Sequence, residues 1–315
     1  MSDNIHDLGN NDSDKESNNL NQDRTQIFFK TQYKGDPRKQ PLFNYLKEVV
    51  CPFFSFKSFS FAILIINFLV FIASLFPKGL DAGKKNIQFL PPDTETLKLF
   101  GSLIGTRIRE NFLESYRWVT NSVLHASFDH IFSNSLAILY FGTLIEYLIG
   151  TLKYALIYEL SGILGSLFSV LKDHTSSSVG ASICCFGIMG TLIAFYVINW
   201  NALSKIFGVT NKYLIIMFPL MMIILSFFVV IQGSGVAVST QDSINQSQIN
   251  IYGHLGGLVF GFFLALIFIK PKEESDTCCL SPKIWFIIGI VVCVLFAVAG
   301  FTCFYILDYY KSSSI

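Results

Sequence analysis

Seven runs of about 20 predominantly apolar residues constrain this chain more than any other feature of its sequence. An α-helix rises about 1.5 Å per residue, so a run of this length is enough to cross roughly 30 Å of hydrocarbon. The 315 residues are 52% hydrophobic and only 14% charged, which excludes an ordinary soluble domain. We therefore predict an all-α, polytopic membrane protein. The predicted spans cover residues 59–76, 129–149, 154–171, 180–200, 213–232, 249–269 and 284–307.

The segments outside the spans divide the chain into three predicted parts. Residues 1–57 form a cytosolic N-terminal tail, whose first 40 positions are rich in Asn, Asp, Ser, Gln and Lys, a composition typical of disorder. Its last part, 41–57, is an amphipathic juxtamembrane segment. Residues 58–270 hold six of the spans and form the membrane core. Residues 271–315 supply a linker and a seventh transmembrane helix.

The basic residues of the loops indicate how the chain is oriented. If the N-terminus is cytosolic, most lysines of the short loops flank the cytoplasmic ends of the spans, as the positive-inside rule requires. The long loop 77–128 carries basic residues on the outer side and runs against that rule. The tail lacks the apolar segment of a signal peptide, and its acidic residues argue against a mitochondrial presequence. We predict a cytosolic N-terminus, in the secretory pathway or the plasma membrane.

The composition points to no metal, no organic cofactor and no nucleic-acid partner. The formal net charge is only +1, so nothing favours binding to nucleic acid. The seven cysteines lie mostly in or beside apolar runs, and none has the spacing with histidines that a zinc site needs. The partner that the composition does predict is the lipid bilayer.

Two reactive side chains stand at the outer ends of two spans. Ser182 follows Gly180 and Ala181 at the start of the fourth span, and His254 stands near the start of the sixth. A serine hydroxyl becomes a good nucleophile when an adjacent base takes its proton, and histidine is the usual base near neutral pH. Burying a histidine in a membrane is costly, so its presence there indicates a function. We predict that the two side chains form a catalytic pair.

The second span adds two polar groups at the same depth. His130 and Asn134 lie four residues apart and so share one helix face. Together with the backbone N–H of Ser182, they are candidates for an oxyanion hole. All these groups lie less than roughly 9 Å below the outer ends of their helices, because each stands within about six residues of a helix start.

No carboxylate is expected at this depth to orient the histidine. Glu146 and Glu159 lie toward the inner ends of the second and third spans. We therefore predict a Ser–His dyad rather than a triad. Phe186 follows Ser182 by one helical turn and is predicted to stack on the ring of His254.

Small residues favour a close approach of the fourth and sixth spans. Gly253, Gly257 and Gly261 repeat every four residues beside His254, and Gly187 and Gly190 are the matching small residues of the fourth span. Glycines in this pattern let helix backbones approach closely in a membrane.

Taken together, these motifs resemble the rhomboid family of intramembrane serine proteases over about residues 110–265. The motifs are Arg117 within Tyr-Arg-Trp, the series His125, His130 and Asn134, the series Gly142, Glu146 and Gly150, the Gly180-Ala181-Ser182 segment, and His254-Leu-Gly-Gly257 followed by Gly261.

The resemblance implies a role for each matching residue. Ser182 would be the nucleophile, His254 the general base and His130 with Asn134 the oxyanion donors. Phe186 would lie under the histidine. Gly180, Gly257 and Gly261 would support the site, and Arg117 and Glu146 would be structural residues. The loop 77–128 would be half submerged in the membrane, and the seventh helix after six is similar to the secretase-type arrangement of eukaryotic members. The implied substrates are single-pass membrane proteins, and no cofactor is implied.

Two positions differ from the usual family pattern. Ile183 follows the serine where glycine is usual, and Gly253 precedes the histidine where alanine is usual. An isoleucine there is expected to crowd the oxyanion hole or the space for a substrate. This favours the alternative of a catalytically inactive rhomboid-like protein that binds membrane clients in trafficking or quality control. A transporter or channel is a third hypothesis, but it would call for ionisable groups near the midplane and for internal repeats. Outside the site, His125 is expected in a wet loop.

Overall fold

The computed structural model describes residues 51, 53–81, 88–203, 213, 217, 220, 224, 250–271 and 280–306. Within them the chain is helical apart from loops and two isolated β-bridges, which confirms the predicted all-α class. Six apolar helices lie in the described part and are numbered here in chain order: α1 Phe59–Ser74, α2 Phe128–Ile149, α3 Thr151–Lys172, α4 Ser182–Ile198, α5 Ile251–Phe268 and α6 Pro282–Ile306.

Four of these helices, α2, α3, α5 and α6, are long and apolar enough to cross a membrane. The other two, α1 and α4, are apolar but shorter, with 16 and 17 residues. These six helices cover six of the seven predicted spans. The predicted disordered tail and most of the predicted span 213–232 lie outside the described residues, as does most of the linker that follows α5.

A carboxylate from the end of α2 binds the start of α1 and so connects the first two spans. Glu146, near the end of α2, accepts hydrogen bonds from the backbone N–H of Phe59 (2.7 Å) and of Ser60 (2.9 Å) and from the Ser60 hydroxyl (2.7 Å). The first N–H groups of a helix have no partner within the helix, so an acceptor placed there satisfies them. Ser58 caps the same end by accepting from the N–H of Phe61 at 3.0 Å.

The long loop between α1 and α2 is a folded unit of short helices. It contains Thr94–Phe100, Gly105–Glu110, Phe112–Tyr116 and Arg117–Thr120. Arg117 is only 2% exposed and donates to the carbonyl oxygens of Lys98 (2.8 Å) and Ser102 (2.9 Å), while its Nε pairs with Glu114. The guanidinium therefore ties together three parts of the loop.

At the centre of the molecule, α4 packs against α5 with almost no side-chain volume between the two backbones. A methyl group on Gly257 would lie 2.1 Å from the carbonyl oxygen of Ile183, and one on Gly261 would lie 2.1 Å from that of Gly187. A methyl group on Gly190 would lie 2.0 Å from the carbonyl oxygen of Leu258. These glycines are what permits the approach, since any larger residue would push the helices apart.

Candidate active site

Ser182 and His254 meet at the N-terminal ends of α4 and α5. The Ser182 Oγ and the His254 Nε2 are 2.7 Å apart, which is a hydrogen-bond distance. Ser182 is the first residue of α4, and His254 lies one turn into α5 with 5% of its surface exposed. With the proton of the imidazole on Nδ1, Nε2 is an acceptor for the serine hydroxyl. The arrangement can therefore generate a nucleophilic oxygen in a place largely shielded from solvent.

The loop before Ser182 is held by backbone contacts to the folded loop 77–128. Ser178 and Leu103 exchange two backbone hydrogen bonds of 2.9 and 3.0 Å. The N–H of Gly180 donates to the carbonyl oxygen of Asn121 at 2.8 Å. Gly180 has a φ of +128°, in the left-handed region that favours glycine. These contacts define how the chain enters α4 and where the hydroxyl points.

Phe186 lies beneath the imidazole. Its ring stacks on that of His254 with centroids 4.7 Å apart and an interplanar angle of 21°. Within the described residues, the His254 Nδ1 has no hydrogen-bond partner. The orientation of the ring therefore depends on the stacking and on the position of α5, rather than on a carboxylate.

His130 lies beside the serine. A methyl group on Gly180 would lie 2.5 Å from the His130 Cε1, 2.8 Å from its Nε2 and 3.5 Å from the Ser182 Oγ, so the two side chains converge on this glycine. Residue 180 must accordingly be small as well as able to adopt a positive φ.

Asn134 is buried one helical turn further along α2. It is 6% exposed, and its Nδ2 has no hydrogen-bond acceptor among the described residues. Its backbone carbonyl faces the Cys185 Sγ at 3.8 Å, so the residue packs against the first turn of α4. A buried amide without a partner is costly unless a ligand supplies the acceptor. The N–H groups of Asn134 are thus available to an oxyanion.

The expectation that His125 lies in a wet loop is wrong. Its side chain is fully buried, and its ring contacts that of His130 edge to face at 5.3 Å. The segment before α2 folds back onto the core, which is why a residue outside the spans becomes inaccessible. Burial, with a smaller contribution from His130, holds the pKa of His125 well below its ordinary value, so the ring is neutral near pH 7.

The side chain of Ile183 packs between helices. It lies against three glycines at the junction of α3 and α5: methyl groups placed on Gly165, Gly253 and Gly257 would lie 2.6, 2.8 and 3.2 Å from its carbon atoms. These contacts lie on the side of α4 that faces α3 and α5, so they give no support to the predicted crowding of the oxyanion hole. The isoleucine fills a hole between helices instead.

Three polar residues that support the site were not singled out from the sequence. Asn250 caps α5, and its side chain contacts Ser169 at the end of α3 and Ser178 in the loop before Ser182. An asparagine directly before an apolar helix is a preferred N-cap, and this signal was available in the sequence. The two serines carried no comparable signal. Arg117 lies in the loop between α1 and α2, and Glu146 lies near the end of α2 with its carboxylate at the start of α1, so both are away from the reactive pair. Within the described residues, no group of three or more His, Cys, Asp or Glu could hold a metal ion.

Comparison with known proteins supplies the family. A family model described as "Rhomboid domain" matches residues 113–271. Rhomboid-like protease 1 of Toxoplasma gondii is 30% identical over 241 residues, which are 76% of this chain and 72% of that protein. RHOMBOID-like protein 7 of Arabidopsis thaliana is 29% identical over 69% of this chain and 66% of its own length.

A third relative shows that membership of the family does not by itself establish catalytic activity. Inactive RHOMBOID-like protein 8 of Arabidopsis thaliana is 36% identical over 112 residues, which are 36% of this chain and 32% of that protein. The relatives thus include a protein named as a protease and one named as inactive. Since the family model covers half of the sequence and includes Ser182 and His254, the chain belongs to the rhomboid family.

Proposed function

We propose that this protein is an intramembrane serine endopeptidase that uses Ser182 and His254 as a catalytic dyad. The observation that carries the proposal is the 2.7 Å distance between the Ser182 Oγ and the His254 Nε2, buried near the N-terminal ends of two apolar helices. The buried Asn134 amide, which has no acceptor among the described residues and belongs to a residue that packs against the first turn of α4, gives independent support. A serine that only packed helices together would need neither an adjacent base nor a free donor.

The geometry suits acyl transfer in two stages. The Ser182 Oγ attacks the scissile carbonyl carbon while its proton passes to the His254 Nε2, and the electron pair of the carbonyl moves to its oxygen. N–H groups of His130, Asn134 and the Ser182 backbone stabilise that oxyanion. The C–N bond then breaks as His254 returns the proton to the leaving amine. A water molecule, deprotonated by His254, then attacks the acyl-enzyme; the ester C–O bond to Ser182 breaks, the acid is released and His254 returns the proton to the Ser182 Oγ.

The proposed substrates are membrane proteins with a single transmembrane segment. A peptide carbonyl in an intact helix is hydrogen-bonded and cannot reach the dyad, so the substrate helix has to unwind locally. Substrates with helix-breaking residues near the cleavage site should therefore be cut faster. We also infer a cytosolic N-terminus, a core of residues 58–270 and a seventh helix in 271–315, in a membrane of the secretory pathway or at the plasma membrane.

The second candidate function is a catalytically inactive protein that binds membrane clients. The similarity to Inactive RHOMBOID-like protein 8 is the observation that favours it. The reactive pair at hydrogen-bond distance opposes it, as does the packing of Ile183 against glycines of α3 and α5.

The deciding experiment compares the parent protein with Ser182→Ala in liposomes that contain a single-span reporter substrate. We expect cleavage by the parent and none by the variant. A fluorophosphonate probe should label the parent but not Ser182→Ala. The matched control is Ser161→Ala, which removes another buried membrane serine whose hydroxyl bonds the Tyr158 carbonyl, and this variant should still be labelled. If the reporter is cleaved by neither protein, or equally by the parent and Ser182→Ala, the protease proposal is wrong and client binding becomes the favoured function.

A further inference from the structure

Asn250 makes more contacts to the elements around the dyad than its place at a helix end requires. Its Oδ1 accepts from the N–H of Gly253 at 2.7 Å, and its backbone oxygen accepts from the N–H of His254 at 3.1 Å. The first bond satisfies one of the free N–H groups at the start of α5, as an N-cap does. The second belongs to the first turn of the helix that carries the imidazole.

The same side chain reaches two other elements. Its Oδ1 also accepts from the hydroxyl of Ser169, near the end of α3, at 2.7 Å. Its Nδ2 donates to the Ser178 Oγ, four residues before Ser182, at 3.1 Å. Ser178 is itself paired through its backbone with Leu103. One carboxamide therefore connects the start of the histidine helix, the end of α3 and the segment that leads into the serine.

Gly253 provides the room for this carboxamide. A methyl group on residue 253 would lie 2.7 Å from the Asn250 Nδ2 and 2.8 Å from its Cγ. An alanine there would have to displace the amide from its partners. The glycine before His254 and the asparagine before α5 thus form one structural unit.

We propose that Asn250 is a positioning residue that sets the distance between Ser182 and His254. The inference rests on the proposed function. His254 has no partner for its Nδ1 among the described residues, so the place of its ring follows the place of the first turn of α5. Asn250 ties that turn to the segment before the serine. A misplacement of about 1 Å between reacting groups lowers a rate about 100-fold, so a tether at this point acts on the chemical step.

The test measures kcat and KM for the reporter substrate with Asn250→Ala, Asn250→Asp and Gly253→Ala. We expect Asn250→Ala to lower kcat about 10- to 100-fold with little change in KM, because the dyad is misaligned while the substrate site is intact. Asn250→Asp keeps the acceptor for Gly253 and Ser169 but loses the donor to Ser178, so its kcat should fall between those of the parent and the alanine variant. Gly253→Ala, whose methyl group would meet both the Asn250 amide and the Ile183 side chain, should also lower kcat.

The matched control is Ser58→Ala, which removes the N-cap of α1 far along the chain from the dyad. Ser58→Ala also removes a helix N-cap. If Asn250 had only a structural role, the two alanine variants would therefore have similar kcat values. We expect the kcat of Ser58→Ala to stay within about twofold of the parent. A parental kcat in Asn250→Ala would overturn the proposal.

A second measurement needs no activity. Hydrogen exchange at the amides of Gly253 and His254 should accelerate in Asn250→Ala and not in Ser58→Ala. If the parent proves inactive but this difference is found, the tether stands and only the protease proposal fails. If exchange at these amides is the same in parent and Asn250→Ala, the tether itself is refuted.

Discussion

At the scale of single residues, the buried amide of Asn134 is a group whose removal should affect catalysis but not stability. Its Nδ2 has no acceptor in the described part of the chain, so removing it breaks no hydrogen bond of the resting protein. We predict that Asn134→Ala lowers kcat about 100-fold, the usual effect of losing one oxyanion donor, and leaves the thermal unfolding midpoint nearly unchanged.

The control for Asn134→Ala is Asn199→Ala, at the other end of α4. Asn199 is also buried, but its amide donates to the Phe195 carbonyl at 3.0 Å. Its loss should cost about 1 kcal/mol of unfolding free energy and leave kcat intact. Cleavage assays and thermal unfolding in detergent check both variants. A parental kcat in Asn134→Ala would remove this residue from the proposed mechanism.

At the scale of the elements, Ile183 decides how α4 meets α3 and α5. Because its side chain fills the hole lined by Gly165, Gly253 and Gly257, we predict that Ile183→Gly destabilises the protein by about 3 kcal/mol or more and does not raise kcat. Ile193→Gly, the same change at a less buried position of α4, should lower the unfolding free energy by less. Chemical unfolding and cleavage assays provide the two readouts. A faster enzyme with an unchanged unfolding midpoint would mean that the isoleucine obstructs the site.

The close approach of α4 and α5 gives a second prediction at this scale. A methyl group on Gly261 meets the backbone oxygen of Gly187 at 2.1 Å, and a backbone cannot move aside as a side chain does. Gly261→Ala should therefore cost about 1–3 kcal/mol of stability and reduce cleavage by separating Ser182 from His254.

The matched control is Gly300→Ala in α6, where the nearest atom to the added methyl group is the end of the Leu167 side chain, at 2.9 Å. A leucine end can shift, so this variant should unfold close to the parent midpoint. If the two variants lost the same unfolding free energy, the close spacing of α4 and α5 would have no special importance for stability.

At the scale of the whole molecule, Glu146 connects the start of α1 to the end of α2. Its carboxylate accepts three hydrogen bonds from Phe59 and Ser60. We predict that Glu146→Ala lowers the unfolding free energy by about 3 kcal/mol or more because three donors lose their acceptor, with Glu146→Gln intermediate. Labelling by the fluorophosphonate probe should persist in the folded fraction, since Glu146 does not contact the dyad.

Glu159→Gln is the comparison for Glu146, because Glu159 also lies in a membrane helix but makes no hydrogen bond to the described part of the chain. Its unfolding midpoint should stay near that of the parent. Unfolding in mixed detergent micelles measures both variants. A stable Glu146→Ala protein would contradict the structural role that we assign to this carboxylate.

Much of the site could be predicted from the sequence because its residues belong to helix starts. Ser182, His254 and His130 each lie within the first turn of an apolar helix, and helix starts that face the same side of a membrane share a depth. Phe186 follows Ser182 by one turn, so its place under the imidazole also follows from helical geometry. The burial of His125, the direction of Ile183 and the contacts of Asn250 were not predicted, because each depends on neighbours that are distant in the sequence.

The sequence by itself determined the all-α membrane class, the approximate helix ends and the reactive residue types, because each of these depends on the transfer free energy or chemistry of residues close along the chain. Only the tertiary structure decided that the Ser182 Oγ lies 2.7 Å from the His254 Nε2 and that Ile183 turns toward α3 and α5. The reason is physical. Hydropathy holds a helix in the bilayer but leaves its rotation and its distance from its neighbours free, and here glycine contacts and a few buried hydrogen bonds set both.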